Sequence, residues 1–121
     1  MSLPLVFFYG SSGLEAQIFE SYMASSGYEV RLVSTREKLL GAVEQNPTAI
    51  YVLAREQLPH ELTELARLVL ARGSSSTRAF ILTGEQGFDP HLPGVEVVTR
   101  PFRLSEVIRR IQGMTKTLKN F

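Results

Sequence analysis

Short apolar segments alternate with longer amphipathic ones along the whole chain. Residues 5–9, 49–53 and 79–83 are wholly or almost wholly apolar, which is typical of parallel strands that are buried on both faces. Residues 28–33 alternate between apolar and polar positions, and residues 95–99 form a further, mostly apolar run. These segments predict five strands.

Apolar residues at helical spacing follow four of the five strands. They are Ile18, Phe19, Tyr22 and Met23; Leu39, Leu40 and Val43; Leu62, Leu65, Ala66 and Val69; and Leu104, Val107, Ile108 and Ile111. Between Gly84 and Gly94 this pattern stops, and a glycine and two prolines leave room for at most a turn or two of helix. The fourth helix is therefore predicted to be short.

Strands that alternate with helices predict an α/β fold. We expect a three-layer α/β/α sandwich around a five-stranded parallel sheet, with right-handed crossovers and a ligand crevice at the carboxyl ends of the strands. A chain of 121 residues fits one domain, since domains typically contain about 100–150 residues. We therefore expect a single domain over residues 1–121, with a frayed polar and basic tail over residues 113–121.

Local signals predict where the helices begin. Ser12 with Glu15, and Ser34 with Glu37, have the S-x-x-E spacing of a capping box. Pro59 suits the first turn of the third helix, where a missing N–H removes no hydrogen bond.

Composition excludes several classes of function. The net charge of +1 offers no global field toward nucleic acid or an anionic membrane. No cysteine is present, and the only two histidines, His60 and His91, are far apart, so we expect no metal site. No segment has the ~20 consecutive apolar residues that span a bilayer. We expect a cytoplasmic protein that binds neither nucleic acid nor membrane.

The loop after the first strand is one candidate binding site. Gly10, Ser11, Ser12 and Gly13 join a strand to a helix amino end, where backbone N–H groups and the helix dipole can bind phosphate. Arg55 and Arg100 are predicted at the same edge of the sheet, so an anion pocket is one interpretation. The loop lacks both the Rossmann glycine spacing and the P-loop lysine. The alternative is that Ser12 caps the helix and the glycines shape the turn.

Several short motifs resemble one family. The chain carries Gly27-Tyr28 after its first helix, Leu58-Pro59 before its third, and Thr99-Arg100-Pro101-Phe102 after its fifth strand. Together with the strand and helix order, this layout resembles the receiver domain of bacterial response regulators over nearly the whole chain. The resemblance implies a flavodoxin-like order of strands.

The resemblance also implies where the family's functional residues would lie. The family's acidic pair corresponds to Gly10 and Ser11, and its phosphoacceptor aspartate corresponds to Ala54 or Arg55. Its switch hydroxyl corresponds to Thr83, and its lysine corresponds to Arg100. The hydroxyl is kept and the lysine is replaced by arginine, but no acid remains.

The missing acids decide which chemistry we expect. Phosphoryl transfer to a carboxylate needs a nucleophilic oxygen and a charge-neutralising ion, and magnesium prefers carboxylate and other oxygen ligands. The chain is therefore predicted to be a pseudo-receiver that forms no acyl phosphate, needs no cofactor and is not an enzyme. Glu56 or Glu85 could replace a lost acid, although both are more simply explained as solvated loop residues.

Docking is then the expected mechanism. In the family, the surface of the fourth helix, fifth strand and fifth helix recognises partners or a second copy. Here the fourth helix is short, so the flank of the fifth strand and the exposed residues of the last helix are the candidates. The helix residues are Arg103, Glu106, Arg109 and Arg110. The expected partner is a protein, another domain of the same polypeptide or a second copy in a homodimer. The alternative function is a sensor for a small anionic or nucleotide-like ligand at the carboxyl edge of the sheet.

Overall fold

The structure is a computed structural model that describes residues 4–10, 13–54, 59–74, 76–83, 87, 90–99 and 104–119. For residues 59, 104 and 114–119 it describes the backbone alone. The elements are β1 (Leu5–Tyr9), α1 (Leu14–Ser25), β2 (Glu29–Val33), α2 (Arg36–Gln45), β3 (Ile50–Leu53), α3 (Pro59–Arg72), β4 (Arg78–Thr83), β5 (Val95–Thr99) and α4 (Leu104–Lys119).

All five strands form one parallel sheet in the order β2-β1-β3-β4-β5. Tyr9 at the end of β1 pairs with Val33 of β2 and with Leu53 of β3, so the carboxyl ends of these strands form one edge. The predicted α/β fold with a flavodoxin-like strand order is confirmed.

Two apolar clusters fill the space between the sheet and its two helical layers. Strand side chains alternate between faces, so Phe8 and Val52 pack with α1 and α4, whereas Phe7 and Tyr51 pack with α2 and α3. The central strands are buried on both faces, which explains their continuous apolar sequence.

The first two helices begin one residue later than the capping-box spacing predicts. Gly13, in an extended conformation, precedes α1. Ser12 lies outside the described residues, so its role as a cap stays a prediction. Thr35 caps α2 instead of Ser34, and its hydroxyl accepts a hydrogen bond from the Lys38 N–H at 3.2 Å. Glu37 then occupies the second helical position, one short of the position that closes the box.

Other elements differ from the sequence prediction in extent. In α1, Phe19 and Met23 are buried, but the Tyr22 side chain is 55% exposed. The backbone of α4 stays helical beyond Gly113 to Lys119, where a frayed tail was expected. Met114 and Leu118 continue the helical apolar spacing from Ile111. Between β4 and β5, residues 87 and 90–94 contain no helix, in keeping with a shortened fourth helix.

Candidate functional site

Gly10 and Ala54 are neighbours at the carboxyl edge of the sheet. The Gly10 N–H donates to the Val33 carbonyl at 3.3 Å, and the Ala54 N–H donates to the Tyr9 carbonyl at 2.8 Å. A Cβ atom placed on Gly10 would lie 3.7 Å from the Ala54 Cβ. The structure therefore brings together two of the positions that the receiver resemblance assigns to carboxylates.

The side chains that pack beneath Gly10 and Ala54 are apolar. Phe8 lies two residues before Gly10 on the same face of β1, and its ring packs on Phe19 with centroids 4.9 Å apart. A Cβ on Gly10 would lie only 3.0 Å from the Phe8 Cε1 atom, a distance that forces the ring to move. Ala54 is 6% exposed and belongs to the same apolar cluster. Any carboxylate placed here would lose water to this apolar cluster, which costs free energy.

Thr83 ends β4 at the same edge of the sheet. Leu53 of β3 pairs with Ile81, two residues before Thr83, and Thr83 itself pairs with Thr99 of β5. Its side chain is 6% exposed. The predicted switch hydroxyl thus lies at the predicted edge.

Metal-binding potential is low in the described part of the site. Across the described residues, no group of three or more histidine, cysteine, aspartate or glutamate side chains could hold a metal ion. Glu56 and Glu85, the two candidates for replacing a lost acid, lie outside the described residues. Their role stays a prediction.

The predicted anion pocket is described only at Gly10 and Gly13. The other four residues assigned to it lie outside the described part of the chain; they are Ser11, Ser12, Arg55 and Arg100. The Gly10 N–H already donates to Val33, and the Gly13 carbonyl accepts from the Gln17 N–H at 3.2 Å. Gly10 therefore contributes no unused backbone donor to an anion.

The predicted docking surface on α4 is exposed where it is described. Glu106, Arg109 and Arg110 all lie on the solvent side of the helix, whereas Arg103 lies outside the described residues. Arg110 Nη2 is 3.3 Å from Glu106 Oε1, one helical turn away. No described residue pairs with Arg109, so its guanidinium is the cation that this surface offers most directly.

Sequence reasoning missed the role of Phe8 in this site. It assigned the residue to the core without connecting it to Gly10. The signal was available, because residues two apart on a strand point to the same face. An aromatic ring two residues before Gly10 indicates an apolar contact beneath that position.

Several solved structures of receiver domains have the same fold as this chain. The chain is similar to a response regulator receiver protein from Sinorhizobium medicae, with a TM-score of 0.77 and 15% identity over 93% of this chain and 94% of that one. A receiver domain protein from Methanospirillum hungatei has a TM-score of 0.76 and 12% identity, covering 98% of both chains. The receiver domain of a Francisella response regulator has a TM-score of 0.74 and 16% identity over 95% of this chain and 98% of that one.

No protein-family model matches the sequence, and neither does any curated protein. At such low identities, the structural neighbours establish the fold. Within the described residues, no helix is long and apolar enough to cross a membrane.

Proposed function

We propose that this chain is a receiver-like signalling module that forms no acyl phosphate and acts by docking to a protein, within a bacterial two-component-type regulatory system in the cytoplasm. One observation carries the proposal. Gly10 and Ala54 meet over the Phe8 ring at the edge where a receiver resemblance requires carboxylates.

This arrangement disfavours phosphorylation in two ways. Neither Gly10 nor Ala54 has a side-chain oxygen, so no nucleophile or magnesium ligand arises at these positions. The Phe8 ring and Ala54 are also almost fully buried, and such surroundings oppose a bound divalent ion unless charged ligands compensate. A module without this chemistry can still act through its surface, and we propose that it is not an enzyme.

The exposed face of α4 supports docking. Arg109 and Arg110 are adjacent on this face, and Glu106 neutralises only the second of them. The surface therefore suits a partner that presents acidic groups, since a cation on a rim steers complementary partners.

The chemical half of the proposal is tested by nuclear magnetic resonance. Backbone amide spectra are recorded with magnesium alone and then with magnesium and beryllofluoride. The amides of Gly10, Ala54 and Thr83 are the reporters. We expect no change on adding beryllofluoride, because no carboxylate accepts it. The NtrC receiver domain, which has been studied in its beryllofluoride-activated form, serves as the positive control.

Two results would contradict the proposal. Shifts at these amides with beryllofluoride would show that another acid, such as Glu56 or Glu85, accepts the phosphoryl mimic. Shifts with inorganic phosphate or nucleotides alone, accompanied by a higher melting temperature, would instead favour the anion sensor.

The docking half is tested by photo-crosslinking in cells. A benzoylphenylalanine replaces Gln112 on α4, or Gln17 on the exposed side of α1 as the matched control. We expect a defined protein adduct from position 112 that is lost when Arg109→Glu is added. Equal adducts from both positions, or an adduct that is indifferent to Arg109→Glu, would exclude α4 as the docking surface.

A further inference from the structure

The β2 strand offers a surface for pairing with another chain. In the strand order β2-β1-β3-β4-β5 it is outermost and pairs with β1, so its other side presents backbone N–H and C=O groups that a further strand can bond. Three exposed side chains accompany these groups: Glu29, Arg31 and Leu32. Backbone and side chains together determine what kind of chain fits this edge.

Hydrogen bonds to β1 determine which backbone groups of β2 point outward. The Glu29 N–H donates to the Pro4 carbonyl of the chain that enters β1, at 2.9 Å. In a parallel ladder, the residues that bond to the neighbouring strand alternate with those that point away. The odd-numbered residues of β2 therefore bond toward β1, whereas Val30 and Leu32 present their N–H and C=O groups to the outside.

Two opposite charges lie side by side on β2. Arg31 Nη2 is 3.1 Å from Glu29 Oε2, and both side chains are at least half exposed. Both residues lie on the α2 and α3 side of the sheet, because Glu29 pairs with Leu5 and Arg31 pairs with Phe7 of β1. A strand with opposite charges two residues apart is complementary to a second copy that runs in the reverse direction.

The charges match in one two-fold register. In an antiparallel pair with its axis at Val30, the two Val30 residues bond each other, and each Leu32 N–H reaches the Tyr28 carbonyl of the other copy. Glu29 of each copy then lies directly opposite Arg31 of the other, at a non-hydrogen-bonded position where opposed side chains are closest. The four groups form a square of alternating charge, and opposite charges across two strands stabilise their pairing.

The other face of β2 gains apolar contacts in the same register. Val30 packs, partly buried, against the apolar cluster on the α1 side. Leu32 lies two residues further on the same face and is 41% exposed. An axis at Val30 places the two Val30 side chains next to each other and Leu32 opposite Tyr28 of the second copy. Pairing would therefore cover apolar surface that a single chain exposes to water.

Other two-fold pairings match the charges less well. An axis at Arg31 would put Arg31 opposite itself, and like charges across two strands are destabilising. At the opposite edge of the sheet, the Ala79 N–H donates to the Gly94 carbonyl at 3.0 Å, so Val97 is an outward residue of β5. Glu96 is the one charged residue of β5, so within that strand it can face only itself or an uncharged residue of a second copy. Pairing along β2 thus forms ion pairs that pairing along β5 does not.

We propose that β2 binds a second copy of this chain, antiparallel and around a two-fold axis at Val30, so that two five-stranded sheets become one. This inference goes beyond the proposed function and does not rest on it, because the pairing uses neither the phosphorylation-site positions nor Arg109 of α4. Each copy contributes the same patch, as a two-fold interface requires. Because the pairing involves one strand per copy, we expect weak association, typical of interfaces below about 1,200 Å².

Charge reversal tests both the surface and the register. Glu29→Arg and Arg31→Glu each put like charges opposite one another, so each variant alone should associate at least about tenfold more weakly than the native chain. An equimolar mixture of the two variants puts opposite charges face to face again, so it should regain native association as a heterodimer. Glu96→Arg reverses the charge on β5 as the matched control and should leave association unchanged. Sedimentation equilibrium from micromolar to millimolar concentrations measures each sample.

Disulfide formation gives an independent readout in a chain that retains both charges. The protein has no cysteine, so Val30→Cys provides a single thiol at the proposed axis, and Val97→Cys provides the matched control on β5. Hydrogen-bonded residues of an antiparallel pair have Cα atoms about 5.5 Å apart, which a disulfide can span. Under mild oxidation, Val30→Cys should form a covalent dimer at least about tenfold faster than Val97→Cys.

The outcomes separate this inference from the proposed function. A native chain that stays monomeric at all concentrations, a mixture that associates no better than its two components, or equal rates of disulfide formation at positions 30 and 97 would overturn the β2 pairing. If a charge variant fails to fold, as judged by circular dichroism, the disulfide rates alone decide. None of these results changes the beryllofluoride or photo-crosslinking experiments, which test the proposed function separately.

Discussion

The buried phenol of Tyr51 allows a quantitative test of how the α2 and α3 layer is held to the sheet. Its hydroxyl donates to the Asn46 carbonyl at 2.6 Å, with the Ala42 carbonyl at 3.2 Å. Its ring stacks on Phe7 with centroids 5.2 Å apart. Tyr51 thereby ties the end of α2 to the centre of β3, and Tyr51→Phe removes the tie while keeping the stacked ring.

The expected cost at neutral pH is about 1 kcal/mol, the net value of one ordinary hydrogen bond. It is no larger because both carbonyls keep other donors. The Ala42 carbonyl also accepts from the Asn46 N–H at 2.8 Å, and the Asn46 carbonyl accepts from the Ala49 N–H at 3.2 Å. Substitution therefore strands no buried acceptor.

The difference in free energy of unfolding between the native protein and Tyr51→Phe should change sign at high pH. Burial raises the pKa of Tyr51 above its ordinary value of 10.0. Above pH 10 the unfolded chain loses this proton while the folded chain keeps it, so unfolding is favoured as the pH rises. The native protein should lose up to about 1.4 kcal/mol per pH unit relative to Tyr51→Phe. The two stabilities should be equal near pH ~10.7, where this loss matches the value of the hydrogen bond.

Urea unfolding followed by far-ultraviolet circular dichroism measures both stabilities from pH 7 to pH 11. Subtracting one from the other cancels the three remaining tyrosines, which are common to both proteins. A stability difference that stays constant up to pH 11 would refute the reasoning, because it would mean that Tyr51 ionises equally well in the folded chain. A loss of several kcal/mol at pH 7 would show instead that the hydroxyl holds more of the structure than its two contacts indicate.

Two glycine substitutions test packing outside the site, and both are measured by urea unfolding at pH 7. Gly73→Ala should destabilise by about 1–3 kcal/mol, because its Cβ would lie 2.8 Å from the Thr77 Cβ. Gly41→Ala should stabilise by about 0.5–1 kcal/mol, because Gly41 is inside α2 with open space around it. Equal effects of the same sign would show that local propensity, and not the Thr77 contact, governs position 73.

The parallel sheet and its two helical layers were predictable because the apolar pattern is strong, whereas the strand order was implied by the receiver resemblance. The buried runs at 50–53 and 79–83 leave no solvent-facing position, so helices must cover both faces of the sheet. Helix starts were less predictable. Ser34 and Thr35 are both good caps, so residue type alone does not distinguish them, and in the structure Thr35 begins α2.

The candidate site was predictable in part. The position of Gly10 beside Ala54 follows from parallel strand ends, and so does the location of Thr83 at the same edge. The approach of the Phe8 ring depends on its rotamer and on Phe19, which belongs to another element. Which backbone groups of β5 point away from β4 depends on the register of hydrogen bonds between the two strands, and the sequence alone does not determine that register.

The apolar surroundings of Gly10 and Ala54 make a carboxylate costly at either position. In a receiver-like edge, adjacent carboxylates repel one another and lose hydration, and a bound cation must offset both costs. Glycine and alanine carry no carboxylate, and the Phe8 ring lies close enough to Gly10 that a Cβ there would press on it. An acid at position 10 would require this ring, which packs on Phe19 of α1, to shift by a few tenths of an ångström. An acid at position 54 would be buried in the same apolar cluster, and position 10 beside it would still be glycine instead of a second acid. Each single substitution by an acid, at position 10 or at position 54, should therefore lower the free energy of unfolding before a metal site exists.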